Sequence, residues 1–164
     1  MQFIDLAAQQ KRIRNKIEAN ILNVLNSNSY INGPEVADLE QKLARFVGVS
    51  YAIGCSSGTD ALLMPLMAYD IKPGDAVFTT PFTFIATAEV VQLLGATPVF
   101  VDCEKDTFNI DVVKLEKEIE KVKKGGRHRA RGIIPVDLFG QCADYDEINS
   151  IARKHGLFVL EDAA

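Results

Sequence analysis

The sequence has few cysteines, little net charge and no long apolar run. Its three cysteines, Cys55, Cys103 and Cys142, are odd in number and widely spaced, which excludes a disulfide framework and a Cys-x-x-Cys metal site. A net charge of −4 provides no attraction for nucleic acid or an anionic membrane. No apolar stretch reaches the roughly 20 residues of a membrane span, and the N-terminal segment soon becomes polar, unlike a secretion signal. We therefore expect a soluble, cytoplasmic protein with reduced thiols.

The remaining composition is that of an ordinary globular protein. Hydrophobic residues make up 48% and charged residues 24% of the 164 residues, which is typical of a domain with a single apolar core. The one charge cluster, KVKKGGRHRAR at residues 121–131, is interpreted as a solvated helix end and turn rather than as a binding patch.

Hydrophobic periodicity predicts two helices, followed by alternating strands and helices. Apolar residues recur at helical spacing over residues 7–26 and 34–46, where Pro34 suits a first helical position. Short apolar runs predict strands at residues 51–55, 76–79, 98–101, 133–136 and 157–160. The intervening helices are predicted near residues 59–69, 83–94, 111–123 and 144–154. This alternation indicates an α/β fold, in which a mostly parallel sheet carries helices on both faces and ligands bind at the C-terminal edge of the strands.

The first motif that could carry chemistry is GCSSGTDAL (residues 54–62), where a predicted strand turns into a helix. Such a turn presents free backbone N–H groups at the positive end of the helix dipole, which suits a phosphate. Gly58 permits close approach of the backbone, and the hydroxyls of Ser57 and Thr59 add donors. The lysine of a P-loop and the full G-x-G-x-x-G fingerprint are missing. A simple helix cap, with Ser57 as N-cap and Asp60 completing a capping box, explains the same residues.

Three further motifs follow predicted strands. In TTPFTFIAT (residues 79–87), Phe84 can stack on a flat ring or belong to the core. In FVLED (residues 158–162), Asp162 can hold a cationic ring nitrogen or cap the next element. The run PVDLFG (residues 135–140) can contact a ligand, although turn chemistry alone explains it. A phosphate cup, a stacking aromatic and a terminal Asp are together the non-covalent parts of a pyridoxal phosphate (PLP) site.

These motifs resemble those of the DegT/DnrJ/EryC1/StrS family of PLP-dependent nucleotide-sugar aminotransferases, which belongs to the aspartate aminotransferase fold group. The resemblance covers essentially the whole chain and rests on GPEV (33–36), SGTDAL (57–62), PFTFIAT (81–87) and EDAA (161–164). It implies that Gly58, Thr59 and Asp60 bind the cofactor phosphate. It also implies that Phe84 stacks on the pyridine ring and that Asp162 pairs with the protonated ring nitrogen.

The resemblance further implies that the catalytic site is incomplete in this chain. Residues 1–32 are expected to form an N-terminal helix and loop, and residues 33–164 part of the PLP-binding large domain, with the C-terminal domain absent. In this family the Schiff-base lysine lies beyond Ala164, so no catalytic residue is expected here and the chain alone is expected to be inactive. The intact enzyme is expected to be a homodimer that moves an amino group, from glutamate, to a keto sugar nucleotide in amino-sugar and polysaccharide biosynthesis.

Other functions stay open at this point. Asp137 stands where many relatives carry histidine, and the stretch PVDLFGQCADYDEI (135–148) resembles the branch that acts on UDP-linked 3-keto-N-acetylglucosaminuronic acid. A truncated, non-catalytic remnant that binds PLP or another phosphate ligand is one alternative. A sugar dehydratase of the same family, with histidine in place of the lysine, is another. A Rossmann dehydrogenase is disfavoured because the glycine fingerprint and the ribose-binding acid are absent.

Overall fold

The computed structural model describes residues 4–164. The chain forms two compact units, Met1–Gly54 and Cys55–Ala164. The prediction that the N-terminus carries no secretion signal rests partly on residues 1–3, which lie outside the described residues. The predicted functional division between residues 32 and 33 stays a prediction, because a compact unit need not coincide with a functional domain.

Among the described residues of the first unit, two helices are formed, as predicted. Helix α1 spans Leu6–Ser27, and its N-cap Asp5 accepts a hydrogen bond from the Ala8 N–H. Helix α2 spans Pro34–Val47 and ends at Gly48, whose positive φ of 78° suits a glycine. No residue of α1 is buried. Large apolar side chains of both helices are exposed, among them Ile13, Ile21, Leu25, Leu39 and Phe46.

The strand predicted at residues 51–55 is not formed. The segment belongs to no sheet of the described chain, and the side chains of Tyr51 and Ile53 are 84% and 81% exposed. A strand needs a neighbouring backbone to accept and donate its ladder hydrogen bonds. Because none of the described strands pairs with this segment, its apolar composition does not produce a strand here, and the prediction is wrong.

The second unit is a parallel α/β sheet, which confirms the predicted fold class. Its strands are β1 (Asp75–Thr79), β2 (Thr97–Phe100), β3 (Arg129–Ile134) and β4 (Phe158–Val159). They are arranged in the order β2-β1-β3-β4, and every pair is parallel. The helices are α3 (Gly58–Ala68), α4 (Ala86–Leu93), α5 (Val112–Gly125) and α6 (Tyr145–His155). The other four predicted strands and the four predicted helices of this unit are therefore confirmed, with shifted ends.

Both faces of the sheet are covered, because successive residues of a strand point to opposite sides. One core contains Phe78 of β1 and Ile133 of β3 and packs them against α5 and α6. The other core contains Val77, which precedes Phe78, and Ile134, which follows Ile133. It packs both against α3 and α4. Because helices cover both faces of the sheet, the C-terminal edge of the strands is occupied by the loops that carry the motifs.

Candidate functional site

The loops that follow β3 and β4 are fixed side by side at the C-terminal edge of the sheet. The Asp162 N–H donates to the Pro135 carbonyl, and the Asp137 N–H donates to the Asp162 carbonyl, both at 3.0 Å. These two bonds continue the parallel pairing beyond the strands as a bridge between Val136 and Asp162. Asp162 is thus held by the backbone at the C-terminal edge of the sheet.

The Asp162 carboxylate is buried and contacts only neutral donors. Asp162 is only 7% exposed. Its Oδ2 accepts the Thr87 hydroxyl at 2.7 Å, and its Oδ1 accepts the Ala164 N–H at 3.3 Å. No lysine, arginine or histidine of residues 4–164 forms an ion pair with it. A buried, ionised carboxylate is costly unless a cation compensates its charge, so this environment suits a cationic ligand group such as a protonated pyridine nitrogen.

Thr87 contacts Asp162, a role that the motif around it does not indicate. It lies in α4, is 1% exposed, and is separated from Asp162 by 75 residues of sequence. The Thr83 hydroxyl lies 3.2 Å from the Thr87 hydroxyl. The helix predicted over residues 83–94 places the two threonines at i and i+4 on one face, but α4 begins at Ala86 and Thr83 precedes it. Nothing in the sequence shows that Thr87 meets Asp162.

The N-terminus of α3 is a capped helix end with two free donors. Ser57 is the N-cap, and its hydroxyl accepts the Asp60 N–H at 3.2 Å. The Ser56 hydroxyl donates to the Asp60 carboxylate. The N–H groups of Gly58 and Thr59 occupy the first two helical positions, where no intrahelical acceptor exists. The prediction of Ser57 as N-cap is therefore confirmed, whereas the capping box is not formed, because the Asp60 carboxylate accepts the Ser56 hydroxyl and not the Ser57 N–H. The cap leaves the N–H groups of Gly58 and Thr59 available to an anion.

Two further observations concern the space around these donors. A Cβ atom added to Gly58 would meet nothing within 4 Å, so the approach to the helix end is open. Phe84 precedes α4 and is 72% exposed; the alternative that places it in the core is wrong. Its ring is accessible for stacking, although stacking on a ligand stays a prediction.

Asp137 and Glu161 add negative charge to the same edge. The Asp137 carboxylate is buried and accepts the Ala143 N–H at 2.9 Å and the Tyr145 hydroxyl at 3.2 Å. Burial, followed by the neighbouring Asp137 carboxylate, raises the pKa of Glu161 above its ordinary value. Burial and the Asp137 and Glu161 charges also raise the pKa of Tyr145. This concentration of acidic groups favours a cation at the sheet edge.

Three phenylalanines form an exposed aromatic cluster that the sequence did not predict. Phe82 lies 5.4 Å from Phe108 and 6.2 Å from Phe139, measured between ring centroids, and the last two are 5.5 Å apart. They lie on the loops after β1, β2 and β3. Loops far apart in sequence bring them together, so no local pattern could indicate the contact.

Two kinds of feature are absent from residues 4–164. No group of three or more His, Cys, Asp or Glu residues is arranged to hold a metal ion. Within the same residues, no helix has the length and apolar character required to cross a membrane.

Comparisons with known proteins agree with the fold and indicate the family. The model of the DegT/DnrJ/EryC1/StrS aminotransferase family matches residues 11–164. The chain is 52% identical over 164 residues to the UDP-2-acetamido-2-deoxy-3-oxo-D-glucuronate aminotransferase of Pseudomonas aeruginosa, covering 100% of this chain and 44% of that protein. A crystal structure of a DegT DnrJ EryC1 StrS aminotransferase from Brucella abortus has a TM-score of 0.99 at 54% identity, covering 100% of this chain and 44% of that one.

A third structure, NtdA from Bacillus subtilis with bound cofactor PMP, has a TM-score of 0.83 at 34% identity. The match covers 91% of this chain and 33% of that chain. In all three comparisons the chain spans less than half the length of the relative.

Proposed function

Because this chain belongs to the DegT/DnrJ/EryC1/StrS aminotransferase family, we propose that it supplies the non-covalent part of a PLP site in a sugar aminotransferase. The observation that carries the proposal is the buried Asp162 carboxylate, which has two neutral donors and no cation of the described chain beside it. PLP and its amino form, pyridoxamine phosphate (PMP), carry a ring nitrogen that can bear the missing positive charge.

Each end of the cofactor has a suitable partner in the second unit. The free N–H groups of Gly58 and Thr59 suit the phosphate, with Asp60 completing the predicted phosphate-binding set. The exposed ring of Phe84 suits stacking on the pyridine ring. Asp162 would hold a proton at the ring nitrogen. When bound, the cofactor accepts electrons from the substrate carbon, and a protonated ring nitrogen makes it a better acceptor.

The substrate proposal rests on the named relatives. The Pseudomonas aeruginosa relative is named for UDP-2-acetamido-2-deoxy-3-oxo-D-glucuronate, and the stretch around Asp137 resembles that branch. For the whole protein we propose a keto sugar nucleotide as amino acceptor and glutamate as amino donor. We also propose a homodimeric assembly and a cytoplasmic location. An assay of the protein with glutamate and a panel of keto sugar nucleotides, followed by mass detection of the aminated sugar, tests the acceptor. A strict preference for a substrate without a nucleotide would contradict it.

We also propose that none of the lysines in this chain forms the Schiff base, so that the chain alone binds the cofactor without turnover. Lysines on α5 and α6 lie on helix surfaces in ion pairs: Lys114 with Asp102, Lys121 with Glu118 and Lys154 with Glu116. Borohydride reduction of the protein with PLP, followed by measurement of the intact mass, tests this. The mass of the bare chain is expected, whereas a single site-specific reduced adduct would contradict it.

Replacement of Asp162 tests the cofactor site directly. A charge-assisted hydrogen bond contributes about 2 kcal/mol, so Asp162→Asn is expected to weaken PMP binding roughly 30-fold. Asp106→Asn, at an exposed loop position, is the matched control and should bind PMP like the wild type. Titration calorimetry with PMP provides the measurement. Equal PMP affinity of the Asp162→Asn variant and the wild type would contradict the assignment.

A further inference from the structure

Thr87 contacts both residues that the proposed site uses at the cofactor ring. Its hydroxyl donates to Asp162 Oδ2 at 2.7 Å, and its backbone N–H donates to the Phe84 carbonyl at 3.3 Å. Asp162 is proposed to pair with the ring nitrogen, and Phe84 to stack on the ring. Thr87 therefore links the segment that carries Phe84 to Asp162.

The direction of the hydrogen bonds at Thr87 follows from the chemistry of its partners. An ionised carboxylate only accepts, so the single hydroxyl proton of Thr87 is used on Asp162. The Thr83 hydroxyl, 3.2 Å away, must then donate to Thr87. The result is a directed chain from Thr83 through Thr87 to Asp162. In a buried environment, each donor in such a chain polarises the next and strengthens the final bond to the carboxylate.

Thr87 is the second residue of α4, so no preceding helical turn offers its hydroxyl the usual carbonyl acceptor. The hydroxyl donates to a side chain 75 residues away. The hydrogen bond from the other donor to that carboxylate, the Ala164 N–H, is longer, at 3.3 Å. Thr87 thus makes the shorter of the two contacts that hold the carboxylate.

We propose that Thr87 is a positioning residue that fixes the Asp162 carboxylate as an ionised acceptor for the cofactor ring nitrogen. The inference rests on the proposed function. One oxygen of Asp162 is committed to Thr87, which leaves the remaining acceptor positions in a defined orientation. Without the hydroxyl, the buried oxygen loses its nearest donor, and the carboxylate holds a proton on the ring nitrogen less well.

The test compares Thr87→Val with the wild type in the state of the bound ring nitrogen. Valine keeps the shape of threonine and removes the hydroxyl, which is both the donor to Asp162 and the acceptor for Thr83. The 15N chemical shift of the ring nitrogen of 15N-labelled PMP, bound to the protein, reports whether that nitrogen carries a proton. We expect a shift towards the neutral-pyridine value in Thr87→Val, together with about tenfold weaker PMP binding, which corresponds to ~1.4 kcal/mol. Thr87→Ser, which restores the hydroxyl, should return both quantities towards the wild type.

Thr79→Val is the matched control. Thr79 is also buried, and its hydroxyl donates to the Ile134 carbonyl at 2.8 Å, so its loss removes a comparable hydrogen bond that does not involve Asp162. The control should leave the 15N shift unchanged. PMP that binds Thr87→Val with the wild-type 15N shift would overturn the inference alone. Failure of PMP to bind the wild type would overturn the proposed function, and this inference with it.

Discussion

Replacing Gly132 with alanine is expected to destabilise the protein through one steric clash. Gly132 is buried in β3 and pairs with Phe158 of β4. A Cβ atom added to Gly132 would lie 2.2, 2.3 and 2.5 Å from Cζ, Cε2 and Cε1 of the Phe158 ring. Carbon atoms in favourable contact are about 3.5–4.0 Å apart, so the ring and the new methyl group would have to separate by more than about 1 Å.

The Phe158 ring has little room for that movement. It stacks on the Tyr69 ring, with centroids 4.1 Å apart and planes within 4° of parallel. It also packs against the core that contains Leu66 and Val77. Moving the ring away from Gly132 therefore disturbs either the stacked pair or a close-packed apolar core.

The magnitude follows from two opposing effects. Overpacking of a core costs about 1–3 kcal/mol, and contacts to three ring atoms favour the upper part of that range. Alanine in place of a glycine within a strand returns about 0.5–1 kcal/mol of chain entropy. Gly132 is not among the glycines with positive φ, so backbone strain does not contribute. The net loss in free energy of unfolding is expected to be about 2 kcal/mol.

Urea denaturation followed by circular dichroism measures this loss, and a double-mutant cycle identifies its cause. In Phe158→Leu the ring is gone, so adding Gly132→Ala to that variant should cost little further stability. A Gly132→Ala variant within about 0.5 kcal/mol of the wild type would refute the reasoning. Equal costs of Gly132→Ala in the wild-type and Phe158→Leu backgrounds would refute it as well, because independent sites are additive.

Three other changes test the electrostatics and capping of the second unit. Asp75→Ala removes a buried carboxylate that accepts the Arg129 Nε–H at 2.9 Å and the Lys72 N–H at 3.2 Å. Because water can still solvate the largely exposed guanidinium of Arg129, we expect the free energy of unfolding, measured by urea denaturation, to fall by only about 2 kcal/mol. Asp111→Ala removes the N-cap that accepts two α5 N–H groups at 3.0 Å, and should cost about 1 kcal/mol in the same assay, with an unchanged midpoint contradicting the cap. The raised pKa of Glu161 means that the folded state holds its proton more tightly than the unfolded chain, so stability falls as pH rises above 4.5, the ordinary value. Glu161→Gln should therefore flatten the dependence of the unfolding free energy on pH between 4.5 and the raised pKa of the folded state. The same slope in the variant and the wild type would contradict the prediction.

Local signals were sufficient to predict most elements of the sheet unit. The fully buried strand β1 and the helix α5, with an N-cap Asp111 and periodic Leu115 and Ile119, follow from apolar runs, spacing and capping chemistry. The strand predicted at residues 51–55 failed because strand formation depends on a partner, and no composition of a segment supplies one. Pairing is a property of the sheet, whereas the apolar pattern is a property of the segment.

The site was predictable as a set of residues but not as a set of contacts. Asp162 and Phe84 could be singled out because each follows a predicted strand. The hydrogen bond from Thr87 to Asp162 and the close approach of Phe158 to Gly132 involve residues far apart in sequence. Such contacts depend on strand order and on the packing of helices onto the sheet, and neither is encoded in a local pattern.

Strand order explains why the Thr87–Asp162 contact exists at all. Thr87 follows β1, Asp162 follows β4, and both of these strands are neighbours of β3. The contact therefore spans the C-terminal end of β3, where Pro135 accepts the Asp162 N–H. A slip in the pairing of either neighbour with β3 would displace one of the two side chains and break a buried hydrogen bond to a charge. The proposed cofactor-binding carboxylate is thus held in place by the registry of three strands, which makes its orientation a consequence of folding that precedes any ligand.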